Sequence, residues 1–455
     1  KSLAYLVPAT LYALINKKRV VISTNTINLQ EQLLNKDALI VKKLLEKINK
    51  LPDDSIRFAQ LKGRSNYICL KRWSHLFNEP SISEDDARFL AKTMVWLTTT
   101  KTGDRGEINL GSRYNSSNWD RISAQGTYNC LSKGGDCFLR TSRETAASSH
   151  VTFVNHSLLL SDLTSEGSVI PEHDILIIDE AHHLEEVATK QFGFTLSEIS
   201  LTDHLKELKD YVNIVQDFRT KSANSRISDT QIKLMKKYTN IIVEALSSLE
   251  GHSADFFKML TKMLITSRAK PGGKIQDYRV TDNVRIRSDW SDLKIHWENL
   301  DLILSEQGSS LLKLKSLFEN LDESIFEGDD NVIAELDSCL HANLQLRDRL
   351  NEFVYSPSIS NIYWINYRSS NDDININSAP LHVGADLEKL LFSRKDTVIL
   401  TGATLSTNEN FNYIVETTGF RDAKEILLGS PFNYHEAALI CVPSNMPVPN
   451  AAAYQ

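Results

Sequence analysis

The chain has 455 residues, 41% of them hydrophobic and 24% charged, with a net charge of −7; it can bury two or three domain cores, and no overall basic excess marks it as a nucleic-acid binder. No apolar run approaches the roughly 18–20 residues of a membrane span and no signal peptide opens the chain, so an intracellular protein is expected. Five cysteines in so long a chain do not make a secreted disulfide framework.

Any basic surface is local, since the first 50 residues carry nine Lys/Arg against three Asp/Glu. Lys1-Ser2 runs directly into Leu3–Ile15, an apolar helix-like stretch containing Pro8. Lys-Ser followed by a helix is how a phosphate-binding loop, G-x-x-x-x-G-K-[ST], ends. On that reading Lys1 reaches the β- and γ-phosphates, the Ser2 hydroxyl binds Mg²⁺, and amides of a glycine loop ahead of the chain cradle the phosphates. An arbitrary terminus explains these two residues equally well.

Residues 19–23 read as a strand and the following segment as a helix capped by Thr26. Thr24, Asn25 and Thr26 then lie at a carboxyl edge and suit a phosphodiester backbone, although capping alone also accounts for Thr26. After a strand at 56–61, Lys62, Arg64, Lys71 and Arg72 alternate with Tyr67 and Trp73, a mixture suited to single-stranded nucleic acid. Residues 83–97 form an amphipathic helix and 98–128 are expected to be loops.

Cys69, Cys130 and Cys137 resemble metal or iron–sulfur ligation in a cytosolic protein; three unrelated thiols is the alternative. Cys339, in a helical pattern, and Cys441, in an apolar strand, read as core residues.

Residues 150–156 form a strand that leaves Asn155 and His156 at the carboxyl edge. The central feature is Asp174–His183, where Ile175, Leu176, Ile177 and Ile178 form a strand covered on both faces that delivers Asp179 and Glu180 at its end. Asp-Glu-Ala-His is the order of a Walker B motif, in which the first acid holds Mg²⁺ and the second positions the water attacking the γ-phosphate. An acid-rich helix start is the alternative.

From 195 to 385 long helix-period stretches predict a helical insertion without chemistry of its own. The sheet resumes at 396–405, whose strand ends in Thr401, Gly402, Ala403 and Thr404 and can relay the state of a γ-phosphate to another surface. A last strand, 437–442, precedes Pro443, Pro447 and Pro449.

These motifs, in this order, resemble the DinG/XPD-like helicases of superfamily 2, bacterial DinG proteins most closely. The resemblance rests on Lys1-Ser2, residues 23–32, Lys62-Gly-Arg-Ser-Asn-Tyr-Ile-Cys69, Cys137-Phe-Leu, residues 154–160, Asp179-Glu-Ala-His182, Thr401–Leu405 and Gly429-Ser-Pro-Phe432. It implies an α/β P-loop NTPase (RecA-like) parallel sheet, with motor domain 1 in residues 1–64, 151–194 and 386–455. An iron–sulfur-type insertion would occupy 65–150 and a helical Arch-type insertion 195–385.

It also implies ATP and Mg²⁺ as cofactors and 5′ to 3′ movement on single-stranded DNA, with unwinding of forked duplexes in repair and replication. Lys1, Ser2, Asp179 and Glu180 would hold the nucleotide and metal, Asp179, Glu180 and His182 would be catalytic, and His182 would couple nucleotide state to the rest of the machine. Thr24, Asn25, Thr26, Lys62, Arg64, Asn155, His156 and Thr401–Thr404 would serve DNA contact and coupling. A four-iron cluster would take Cys69, Cys130 and Cys137, its fourth ligand unidentified. A cytoplasmic bacterial monomer is implied, with a single-stranded-DNA-binding protein as a candidate partner. The arginines of a second motor domain are not in the chain, which alone is expected to turn ATP over poorly. A DNA-stimulated translocase that remodels protein–DNA complexes, and a non-catalytic DNA-binding protein, are the competing readings.

Overall fold

The computed structural model describes residues 1–48, 52, 55–78, 82–111, 113–126, 137–164, 169–221, 227–266, 275–321, 331–368, 373–429, 433–441, 443 and 446–447. In chain order, α1 (Ser2–Asn16) leads to β1 (Val20–Thr24), α2 (Ile27–Gln32), a π-helical turn over Leu33–Ala38 and α3 (Leu39–Ile48), then β2 (Phe58–Gln60). Four helices intervene, α4 (Leu70–Phe77), α5 (Glu84–Leu97), α6 (Arg113–Ile122) and α7 (Phe138–Ser148), before β3 (Val151–Asn155), α8 (His156–Thr164), β4 (Ile175–Asp179) and α9 (Leu184–Phe192).

A second excursion contains β5 (Phe194–Ser197), α10 (Glu198–Lys221), α11 (Asp229–Thr266), β6 (Ile275–Val280), α12 (Asp282–Arg285), α13 (Ser288–Glu319), α14 (Asn331–Val354), β7 (Asn361–Arg368) and β8 (Asp373–Pro380). The chain then returns through α15 (Gly384–Leu390), β9 (Thr397–Thr401), α16 (Asn412–Thr418) and α17 (Tyr434–Ala437).

Strands β2-β3-β1-β4-β9 form one parallel sheet in that order. Its central strands β1 and β4 are buried along their whole length, which is why they read as unbroken apolar runs rather than alternating patterns. Val20, Ile22, Ile175 and Ile177 pack on one face with Leu6 and Ala13 of α1 and Val41 of α3. Val21, Leu176 and Ile178 pack on the other with Leu158 of α8, Leu184 of α9 and Leu387 of α15. Each such fully buried aliphatic side chain stabilises the fold by about 1.5–3 kcal/mol. Parallel register pairs Thr24 with Asn155 and Asp179 with Thr401, so the polar strand ends line up along one edge.

The second excursion is not purely helical, as the sequence had suggested. Strands β5-β8-β7-β6 build an antiparallel four-stranded sheet. The alternation in Asp373-Ile-Asn-Ile-Asn-Ser-Ala-Pro380 is its sequence signature. Gly193 lies at its root, where an added Cβ would come 2.2 Å from the Ser378 carbonyl oxygen, an approach only glycine permits.

Helices α10, α11, α13 and α14 form a ring in which α10 and α13 each touch both α11 and α14. The bundle has two apolar cores, one containing Phe256, Trp297 and Leu350, the other Tyr211, Phe218 and Leu314. Between them lies a buried polar layer of His204, Gln307 and Asn343. Asn343 Nδ2 donates to the Leu304 carbonyl and to Gln307 Oε1, both at 3.1 Å.

Two further expectations are corrected. Within 98–128, expected to be loop, Arg113–Ile122 is helical because Trp119 and Ile122, one turn apart and fully buried, anchor it to Phe89 and Leu90 of α5. Residues 438–441 form no strand: an apolar run needs a ladder partner, none is present among the described residues, and Leu439 and Ile440 are exposed. Cys441 is correspondingly exposed rather than in the core, whereas Cys339 is buried in α14. Ser430-Pro-Phe432 and Cys130 lie outside the described residues.

Candidate active site

The site is built where β4 ends. Asp179 closes the strand, and Glu180 follows with φ 55° and ψ 43°, a left-handed conformation uncommon for a side chain this long. Such backbone costs on the order of 1–3 kcal/mol and persists where its surroundings hold it. Here the Glu180 amide donates to Asp179 Oδ1 at 2.9 Å, and Lys1 reaches across from α1, its Nζ 2.6 Å from Asp179 Oδ1 and 2.6 Å from Glu180 Oε1. Against the cost of partial burial, the two carboxylates raise the pKa of the Lys1 ammonium.

Two residues that sequence reasoning passed over complete the wall. Tyr5, on the same face of the first turn of α1 as Ser2, donates its hydroxyl to Asp179 Oδ2 at 2.9 Å. Burial first, and then the charges of Asp179, Asp37 and Glu180, push the Tyr5 phenol pKa well up, so it remains a donor. Asp37, buried in the π-helical turn, accepts the Ser2 hydroxyl at 2.5 Å. The i, i+3 spacing from Ser2 could have flagged Tyr5; nothing in the local pattern could have flagged Asp37, which lies in a π-helical turn off the regular helix period.

His182 lies one turn beyond, Nδ1 3.5 Å from Glu180 Oε2, too long for a hydrogen bond. Desolvation, followed by the neighbouring His183, lowers its pKa despite the nearby acids. Gly402, just past β9, sits against the same ring: a Cβ there would come 3.3 Å from His182 Nδ1. The ends of β4 and β9 thus approach each other at His182.

The edge residues divide by exposure. Asn25 is half-buried and Thr26 exposed, its Oγ1 accepting the Leu29 amide at 3.3 Å as an N-cap; Ala403 and Thr404 are exposed. Thr24 and His156 are fully buried, and Asn155 Oδ1 caps α8 by accepting the Leu158 amide at 2.9 Å. Arg64 is half-buried. Lys62 is only 3% exposed and its ammonium is held by Glu31 Oε1 at 2.7 Å and by Asp104 Oδ2. It is a buried tie between α2 and the turn at 104–106, not a surface contact.

Cys69 and Cys137 each stand immediately before a helix, α4 and α7, and both pack on the small cluster of Tyr67, Ala124 and Leu139. Among the described residues no group of three or more His, Cys, Asp or Glu is placed to hold a metal ion, and two thiols do not make a cluster site. A nucleotide with a hard divalent cation does fit the β4 edge. Asp179 and Glu180 draw one cation, the Lys1 ammonium, to a single point, beside a hydroxyl on the first turn of a 15-residue helix.

Residues 108–201 match the DEAD_2 family. A Bacillus subtilis protein named 3'-5' exonuclease DinG is 29% identical over 98% of this chain and 47% of its own length. The Haemophilus influenzae ATP-dependent DNA helicase YoaA is 26% identical over 99% of this chain and 62% of its own length.

Over nearly its whole length the chain is similar to proteins named DinG and YoaA.

Like the Mycobacterium tuberculosis ATP-dependent helicase DinG, 33% identical over 44% of this chain and 32% of that protein, it is a relative of enzymes named as helicases. The parallel sheet with helices on both faces is an α/β architecture. The chain spans about half the length of the first of these relatives and somewhat more of the second. No helix among the described residues is long and apolar enough to cross a membrane.

Proposed function

We propose that the protein hydrolyses ATP at the β4 edge and uses the energy to move 5′ to 3′ along single-stranded DNA and unwind forked duplexes during repair and replication. The observation that carries this reading is the convergence of Lys1 on Asp179 and Glu180, both at 2.6 Å, at the carboxyl edge of a parallel sheet.

In this mechanism Mg²⁺ neutralises charge on the β- and γ-phosphates when bound, with Asp179 and Ser2 as its holders. Lys1 leaves its ion pairs to reach the phosphates. Glu180, freed of Lys1, orients the attacking water and accepts its proton. His182, lying between Glu180 and Gly402, passes the occupancy of the site to the end of β9. Asn25, Thr26 and Thr404 offer small polar groups to a phosphodiester backbone, which suits binding that is strongly salt-dependent and indifferent to sequence.

Residues 65–150 are assigned to an iron–sulfur-type insertion with Cys69, Cys130 and Cys137 as ligands, and 195–385 to an Arch-type insertion. The placement of Cys69 and Cys137 on one apolar cluster supports the former.

In the complete protein, Glu180→Gln should lower DNA-stimulated ATP hydrolysis by about 10²–10⁴-fold, the usual loss of a proton-accepting group, while leaving affinity for single-stranded DNA intact. Hydrolysis at the wild-type rate in Glu180→Gln would overturn the assignment. Iron and sulfide measured after anaerobic purification test the cluster, and iron near zero removes it.

A further inference from the structure

The geometry points to Asp37 as a positioning residue for the metal-binding hydroxyl of Ser2, an inference that rests on the nucleotide-site reading above. Ser2 Oγ lies 2.5 Å from Asp37 Oδ2. A carboxylate is acceptor-only, so the hydroxyl hydrogen must lie on this bond. What Ser2 can then present elsewhere is lone pairs alone, which is what a hard divalent cation needs from a hydroxyl ligand. Left unheld, a serine hydroxyl rotates and spends part of its time with its hydrogen turned toward the cation.

Three features show that Asp37 is built for this place. It is 8% exposed, buried against the first turn of α1 rather than solvated. It is the penultimate residue of the six-residue π-helical turn Leu33–Ala38, which is bracketed by the α-helical segments α2 and α3. π-Turns within helices are rare and concentrate at functional sites, and here the inserted register brings a carboxylate to the site's rim. Finally, Asp37 accepts from Ser2 while Asp179 accepts from Tyr5, so two acids hold one face of the first turn of α1. Asp179 is occupied by Tyr5 and Lys1; Asp37 is the partner that Ser2 has.

The test compares binding of a non-hydrolysable fluorescent ATP analogue to the complete protein in EDTA and across a Mg²⁺ titration. Asp37→Ala should leave affinity in EDTA unchanged and raise the half-saturating Mg²⁺ concentration by about 10–100-fold, the usual cost of losing a group that orients a metal ligand. Asp37→Asn, which keeps an acceptor oxygen, should recover most of that loss. A merely structural role would weaken binding equally with and without Mg²⁺, and that result overturns the inference, as does Asn behaving like Ala in the Mg²⁺ titration. If Asp37→Ala does not fold, the Asn variant decides alone: a Mg²⁺ requirement shifted by less than about tenfold supports the inference, and an equal loss in both conditions refutes it. Lys1→Ala separates the two levels, since it should abolish analogue binding in both conditions. If it binds as wild type does, the nucleotide-site reading itself fails, and this inference with it.

Discussion

The Ser23 hydroxyl lies 2.7 Å from Nδ1 of His156, and neither side chain has any exposure to solvent. The contact ties β1 to the start of α8 directly beneath the carboxylate edge. Burial lowers the pKa of His156 from 6.5 to about 4, and does the same for His173 and His204. Above about pH 6.5 all three are neutral in folded and unfolded chains alike, and their contribution is complete. Between 6.5 and about 4 the unfolded chain takes up protons that the folded one refuses, so stability falls as pH falls. Each group accounts for roughly 3 kcal/mol across that window, as an order of magnitude. The urea midpoint should therefore be flat from pH 7 to 8 and decline steeply from 6.5 toward 4.5, and a midpoint that stays flat to pH 5 would count against it.

Lys62 offers a test that separates structure from ligand contact. Removing its ammonium strands Asp104, which is largely buried, and Glu31, which is more exposed and better screened. Lys62→Met should lower stability by about 3 kcal/mol, and adding Asp104→Leu should restore much of it. Because the ammonium is committed internally, the dependence of single-stranded DNA affinity on salt should keep its slope in Lys62→Met. A slope reduced by about one would return Lys62 to the DNA surface.

The polar layer of the helical bundle predicts an asymmetry between single and double replacements. Asn343→Ala leaves the Leu304 carbonyl and Gln307 Oε1 without their donor and should cost about 2–4 kcal/mol in denaturant unfolding, a lost hydrogen-bond partner plus a cavity. Gln307→Leu with Asn343→Leu removes both polar partners and fills the layer. Because His204 and the Leu304 carbonyl stay in the layer, that pair should cost less than Asn343→Ala rather than nothing, and a double variant less stable than Asn343→Ala would contradict it.

The parallel sheet was legible in the sequence because its central strands are buried on both faces and announce themselves as apolar runs, Val20–Ile22 and Ile175–Ile178. The same reasoning named Lys1, Ser2, Asp179 and Glu180 as candidates, and the fold brings their side chains to one edge. It placed Lys62 at the surface because a cation beside aromatics reads as a ligand contact; its true partners, Glu31 and Asp104, are 31 and 42 residues away, and no local pattern reports them. Asp37 stayed hidden for a related reason, since a π-turn moves a side chain off the 3.6-residue period on which helix faces are read. The strands β6 to β8 were overshadowed by the long helices around them, although Asn361–Arg368 is rich in Ile, Tyr and Trp.

The pairing of β5 with β8 sets Ser197 opposite Asn375 and Phe194 opposite Ser378. Entrance and exit of the excursion are therefore neighbouring rungs of one ladder, close enough for a short hairpin turn to join them if everything between were removed. A lineage can gain, enlarge or discard that module, and an engineer can graft another in its place, without rerouting a single strand of the parallel sheet.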